Sequence, residues 1–195
     1  MAGVVNPSNA VMGPINLWYG AFGATEPAQT NAGLIADPGA GWTFGGGTNG
    51  GISWEIDHVI TDLNFDQVID PVGGRVTDRT GMVTFNAAEP TLAMLTLALD
   101  NLGTTTVGSG ISTYSPGQPN SATPLAYNAI LLDGWAPLLG SGAAARRRAI
   151  FRKMLNAPKI ITNGDPVKQL VWALSVKMYW VSASIDPYIV MDQTA

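Results

Sequence analysis

Residues 52–86 constrain this chain more than any other stretch. Ile52, Trp54, Ile56, His58 and Ile60 alternate with Ser53, Glu55, Asp57, Val59 and Thr61; Leu63, Phe65, Gln67 and Ile69 then alternate with Asn64, Asp66, Val68 and Asp70. A period of two sends successive side chains to opposite faces of an extended strand, so one face is mainly apolar and the other polar and acidic. Asp70-Pro-Val-Gly-Gly74 reads as a turn, and Arg75 to Phe85, rich in Val and Thr, as a further strand. Three long strands on short connections predict an antiparallel meander with one polar face.

The flanking segments frame this meander. Pro7, Pro14, Pro27 and Pro38 break up residues 1–51, which read as an extended arm with a short strand at Ile15 to Phe22. Gly45-Gly-Gly-Thr-Asn-Gly-Gly51 is a turn before the first long strand; it lacks the Lys-Ser/Thr of a phosphate-binding loop, and no helix follows it. Glu89-Pro90 then opens a helix over 89–102, with Leu92, Leu95, Leu99 and Leu102 at spacings of three and four and Gly103 closing it. Residues 103–124, rich in Gly, Ser, Thr and Pro, read as a long surface loop. Within 125–195, a strand is expected at Ala126 to Leu132 and a long strand or a broken pair at Lys168 to Ile185, with a turn at Gly134 to Pro137 and a short extended tail at Asp186 to Asp192. Arg146 to Leu155 is ambiguous between strand and helix. The expected architecture is a mainly β protein, an antiparallel β-sandwich or barrel with one flanking α-helix, in a single domain.

Composition narrows the chemistry. Only 12% of the 195 residues are charged while 46% are hydrophobic, a surface suited to a subunit that hides against neighbours. With no cysteine there is no disulfide, thiolate nucleophile or Cys-ligated metal, and one histidine leaves little room for a His-based metal site. The first basic residue is Arg75, so a positively charged secretory start is not expected, and no apolar run of 18 residues suggests a membrane-spanning helix. Residues 1–140 hold eleven acids and two bases, residues 141–195 eight bases and three acids. Opposite surfaces of this kind either meet between copies of the chain or fold together within one.

No constellation for catalysis stands out. His58 lies on the apolar face of its strand, where a hydrogen-bonded core or interface role outweighs catalysis, and no Gly-x-Ser-x-Gly elbow occurs. Asp62, Asp66 and Asp70 recur every four residues but lack the spacing of a calcium loop, so they read as a solvated acidic face. Arg146, Arg147, Arg148, Arg152 and Lys153 crowd eight positions; in an acidic chain they are better suited to carboxylates, including those of a neighbouring subunit, than to nucleic acid.

The order of these features resembles the major tail tube proteins of long-tailed, non-contractile bacteriophages, particularly those of actinobacterial hosts. The resemblance rests on the Gly-rich turn, Gly51-Ile-Ser-Trp-Glu-Ile, Asp66-Gln-Val-Ile-Asp-Pro-Val-Gly73, the strand Arg75-Val-Thr-Asp-Arg-Thr-Gly-Met-Val-Thr-Phe85 and the Leu-rich helix after it. It covers about residues 15–102 well and the C-terminal part more loosely. It implies a β-sandwich whose extended hairpins join, six copies to a ring, into an inner barrel, with rings stacked into a tube through which DNA passes. Glu55, Asp57 and Asp66 are then the candidates for an acidic lumen; Arg146, Arg147, Arg148, Arg152, Asp70 and Arg75 are those for subunit contacts. The implied partners are further copies of the chain, a tape measure protein, terminator and tip proteins, and duplex DNA held transiently; no cofactor, metal or membrane insertion is implied. The expected location is the virion, after assembly in the host cytoplasm. A tail terminator or neck ring, and a carbohydrate-binding tail-tip module, are the alternative readings; an enzyme is not expected.

Overall fold

The computed structural model describes residues 13–99, 102–117, 122, 124–137, 144–156, 167 and 169–194. In chain order the elements are β1 (Asn16–Ala21), α1 (Asn31–Ile35), β2 (Trp42–Phe44), β3 (Thr48–Leu63), β4 (Gly73–Ala87), α2 (Leu92–Ala98), β5 (Gly103–Val107), β6 (Ser112–Pro116), β7 (Asn128–Ala136), β8 (Ala145–Asn156), β9 (Trp172–Met178) and β10 (Tyr188–Asp192). The principal sheet runs β2-β1-β7-β8-β9-β4-β3, with β10 also paired to β8; β5 and β6 form a separate hairpin. Every pairing is antiparallel.

The sheet folds over on itself. β3 and β8 stand three places apart in the strand order, yet the rings of Trp54 and Phe151 meet edge to face at 5.9 Å. Between the two halves lies the main core: Leu17 from β1, Ile130 and Leu132 from β7, Phe151 and Met154 from β8, Val83 and Phe85 from β4, Leu174 and Val176 from β9. Met94, Leu97 and Ala98 of α2 join this core. A buried side chain of this size contributes about 1.5–3 kcal/mol through removal of apolar surface from water.

A second, smaller core explains why β7 reads as an unbroken apolar run. Ile130 and Leu132 face the main core, while Ala129 and Leu131 face Trp42 and Ile150 on the other side. A strand covered on both faces loses the alternation that a half-exposed strand keeps.

The structure is a mainly β, antiparallel fold, as the sequence predicts, but several segments differ in detail. The meander is one hairpin: β3 and β4 are joined by loop 64–72, so Asp66 and Asp70 lie in that loop and not on the polar face of a strand. Residues 13–51 are no arm, since β1 lies inside the sheet between β2 and β7 with Leu17 fully buried. They also hold the short helix α1, capped by the Thr30 hydroxyl, which accepts from the Gly33 N–H. Residues 1–12 of the expected arm lie outside the described residues.

α2 is a seven-residue helix and not the longer one read at 89–102. Thr91 is its N-cap, accepting from the Met94 N–H, which leaves Pro90 before the helix. Glu89 serves the glycine turn instead: its carboxylate accepts from the Gly47 N–H at 2.9 Å. At the other end the Asn156 amide donates to the Ala98 carbonyl, closing the helix against β8.

The surface loop expected at 103–124 contains the β5–β6 hairpin, whose Thr105 hydroxyl bonds Thr96 of α2 at 3.1 Å; residues 118–121 and 123 lie outside the described residues. β7 continues through Ala136 where a turn was expected, and Arg146 to Leu155 resolves as strand. β9 ends at Met178, before the limit expected from its apolar run.

Candidate functional site

β3 and β4 pair from Thr48 and Ala87 out to Leu63 and Gly73, but β9 covers β4 only over Met82–Ala87. Beyond that point the hairpin leaves the body as a bare two-stranded ribbon. Both of its faces are exposed, and every residue from Asp57 to Arg79 is in contact with solvent. A lone two-stranded ribbon is marginal in water, and a long strand with a free edge invites pairing. β3 presents such an edge along 16 residues.

The register assigns the faces. Ile52, Trp54 and Ile56 point to the body: Ile52 and Ile56 pack on the main core and Trp54 meets Phe151. Ser53, Glu55 and Asp57 therefore point away. Across the sheet, Ser53, Thr84 and Ser175 form one row, and Glu55, Met82 and Lys177 the next. Glu55, Asp57, Thr80 and Lys177 line an open depression of about 220 Å³ on this side. This open polar face of β3, β4 and β9 is the candidate functional surface.

A bulge alters the charge pattern farther out. Val59 pairs with Asp78 but Ile60 with Val76, so Thr77 is extra and its hydroxyl bonds the Val59 carbonyl and the Thr61 hydroxyl. Arg75 thus falls opposite Thr61, in the row series of Glu55 and Asp57, while Arg79 stays opposite His58 on the body-side face. Arg75 and Arg79, which share odd numbers, are parted by this one residue. Arg79 lies with its guanidinium 5.8 Å from the centre of the Tyr188 ring. His58 is exposed beside it, not buried in a core, because an open cleft separates this part of the ribbon from residues 178–187.

Gly81 marks the root of the ribbon. A Cβ there would come within 2.8 Å of Met178 Cε, 3.0 Å of Ile56 Cδ1 and 3.1 Å of Met178 Cβ, so any larger residue requires the Met178 and Ile56 side chains to give way.

The β8 arginines are engaged inside the chain. Arg146 and Arg148 each reach Asp133 at 3.3 Å, Arg147 grips Asp192 through two bonds of 2.6 and 2.7 Å, and Arg152 holds Glu26 at 2.5 and 2.9 Å. The acidic and basic parts of the sequence are thus joined within one copy, where carboxylates of a neighbour had been an equal expectation. The hydrogen bonds from Arg147 hold the Asp192 carboxyl below its ordinary pKa, with burial opposing and charge attraction assisting. Arg148 is fully buried and donates to the Gly33 and Ala36 carbonyls, anchoring α1 over the second core. Sequence reasoning missed Asp133, Asp192 and Glu26; Asp133 sits in an apolar strand, where an acid without a partner would be costly, and that was the available signal for it.

The structure brings Glu55 and Asp57 together on one face, puts Asp66 and Asp70 at the ribbon tip, and leaves the four β8 arginines in the body. Among the described residues no group of three or more His, Asp or Glu is placed to hold a metal, and no helix is long and apolar enough to cross a membrane. No protein-family model matches the chain, and no curated protein matches it. Among solved structures it is similar to the crystal structure of Hcp protein, with 13% identity and a TM-score of 0.35 over 93% of this chain and 100% of that one. So loose a superposition carries no argument about function.

Proposed function

We infer that the chain is a structural subunit that polymerises with copies of itself into a tube, the bore lined by the open face of β3, β4 and β9. The observation that carries this reading is the bare ribbon, with its 16-residue strand, free edge and two uncovered faces. Closing such ribbons edge to edge between copies removes the free edges and yields a barrel, the arrangement implied by the resemblance to phage tail tube proteins. The same resemblance supports six copies to a ring, stacked rings, residence in the virion, and tape measure, terminator and tip proteins as further partners.

The function of the bore is electrostatic. Duplex DNA carries a negative charge per about 1.7 Å and would adhere to a basic channel. Glu55 and Asp57, repeated around each ring, repel phosphates over about 8 Å at physiological salt, and Lys177 offsets part of that charge. Asp66, at the tip, contributes only where the tip reaches the bore.

The test is Glu55→Lys with Asp57→Lys. Both side chains are exposed and outside the core, so tubes still form, while delivery of DNA through them falls. Normal delivery from assembled double-mutant tails would rule out this lining.

A further inference from the structure

We propose that the ribbon tip of one copy, loop 64–72, seats in the cleft between β4 and residues 178–187 of a second copy. The proposal rests on the self-assembly reading above and names the contact that would link the copies.

The tip is a built knob. The Val68 N–H donates to the Phe65 carbonyl and the Val72 N–H to the Leu63 carbonyl, fixing the loop. That order serves to present apolar groups outward: Phe65, Val68, Ile69 and Val72 are all exposed, Ile69 at 102% of its reference area. Nothing among the described residues covers them, since β4 has already left β9 behind at Met82.

The cleft holds about 570 Å³ and supplies the complementary surface. Its apolar wall is Val76, Met178, Tyr179 and Trp180, the last 70% exposed. Arg79 lies in it with a guanidinium that has no carboxylate partner among the described residues, whereas each β8 arginine has one. Asp78 also lines the cleft, one of its carboxylate oxygens accepting from the Arg79 backbone N–H at 2.7 Å, so the apolar wall carries more of the match than charge does. Asp62, Asp66 and Asp70, at and beside the tip, likewise have no ion pair within the described residues, and positions 60–72 contain no base. Acidic side chains without an ion pair thus cluster at the tip, and an arginine without one lies in the cleft.

Copies joined this way form head-to-tail contacts, because tip and cleft are different patches of the surface. A head-to-tail contact propagates, closing into a ring or continuing as a helix, where a self-complementary patch would stop at a dimer. The tip cannot occupy its own cleft while the β3–β4 ladder holds the ribbon straight.

The chain has no cysteine, so cross-linking gives a direct test. Ile69→Cys protein and Trp180→Cys protein are purified separately, mixed, assembled and exposed to a mild oxidant. Both positions are exposed, so folding is preserved. The expected result is a disulfide-linked dimer in the mixture only, and a ladder of higher multimers from the double variant. The control pairs Ile69→Cys with Val107→Cys, equally exposed on the β5–β6 hairpin, and gives no such link. Assemblies that form without the Ile69–Trp180 link, or with the control link as abundant, would overturn the proposed contact while sparing the assembly reading. A wild-type protein that stays monomeric at all concentrations would overturn both.

Discussion

Arg148 and Asp133 face each other directly across β7 and β8, both buried, with 3.3 Å between guanidinium and carboxylate. The same guanidinium also holds two carbonyls of the α1 segment. Removing Arg148 leaves Asp133 with Arg146 alone and takes the donor from both carbonyls, at a cost short of the roughly 3–5 kcal/mol of a broken buried pair. Arg148→Met therefore lowers the midpoint of urea unfolding. Arg148→Lys does not restore it, because a single ammonium cannot reach Asp133 and both α1 carbonyls with the planar fork. An unchanged midpoint in Arg148→Met would contradict the anchoring role.

Arg147 and Asp192 give a pH signature. Asp192 has a lowered pKa in the folded chain, so its ion pair stabilises fully above the unfolded carboxylate value, about 3.9, and the contribution is lost as pH falls through the lower folded value. Both side chains are more than a third exposed, so solvent screening holds the effect to about 1 kcal/mol or less. Thermal unfolding of Asp192→Asn, compared with wild type from pH 6 down to pH 2.5, should show a gap that narrows below pH 4. A gap that widens on acidification would contradict the assignment.

Gly81→Val tests the root of the ribbon. Its Cβ would collide with Met178 and Ile56, and overpacking of this kind costs about 1–3 kcal/mol. The expected result is a lower melting temperature, with a smaller loss for Gly81→Ala. Equal melting temperatures would mean that Met178 moves aside freely.

Replacing residues 59–77 with a two-residue turn removes most of the ribbon without touching the core, since no residue of either buried cluster lies in that span. The shortened protein should keep a cooperative unfolding transition and sediment as a monomer at concentrations where the full chain assembles. Retained assembly would place the contacts elsewhere on the molecule.

Much of the fold was legible wherever one face of an element is wet. The alternation of Ile52, Trp54 and Ile56 with Ser53, Glu55 and Asp57 gave the right faces for β3 because that strand has core on one side only. The pattern misled beyond Leu63, where Phe65 and Ile69 alternate with polar residues although no sheet lies beneath them. Alternation reports apolar and polar residue types in turn and does not by itself say whether a sheet lies beneath them. Arg75 and Arg79, both odd-numbered, fall on opposite faces for a local reason, the extra Thr77, which nothing in the residue types marks. The β8 arginines were noticed as a cluster, but their partners lie 13 to 126 residues away, on β7, on β10 and beside α1, and such pairings depend on topology. The short helix α1 was hidden among prolines and glycines; its cap, Thr30, is the one local cue.

If the bare ribbon exists to be covered by further copies of the chain, the purified protein should assemble on its own. Electron microscopy in negative stain, over a concentration series, should then show hollow tubes of uniform width that grow longer and more numerous as concentration rises. Monomers at every concentration, with the ribbon left uncovered, would contradict that role of the ribbon.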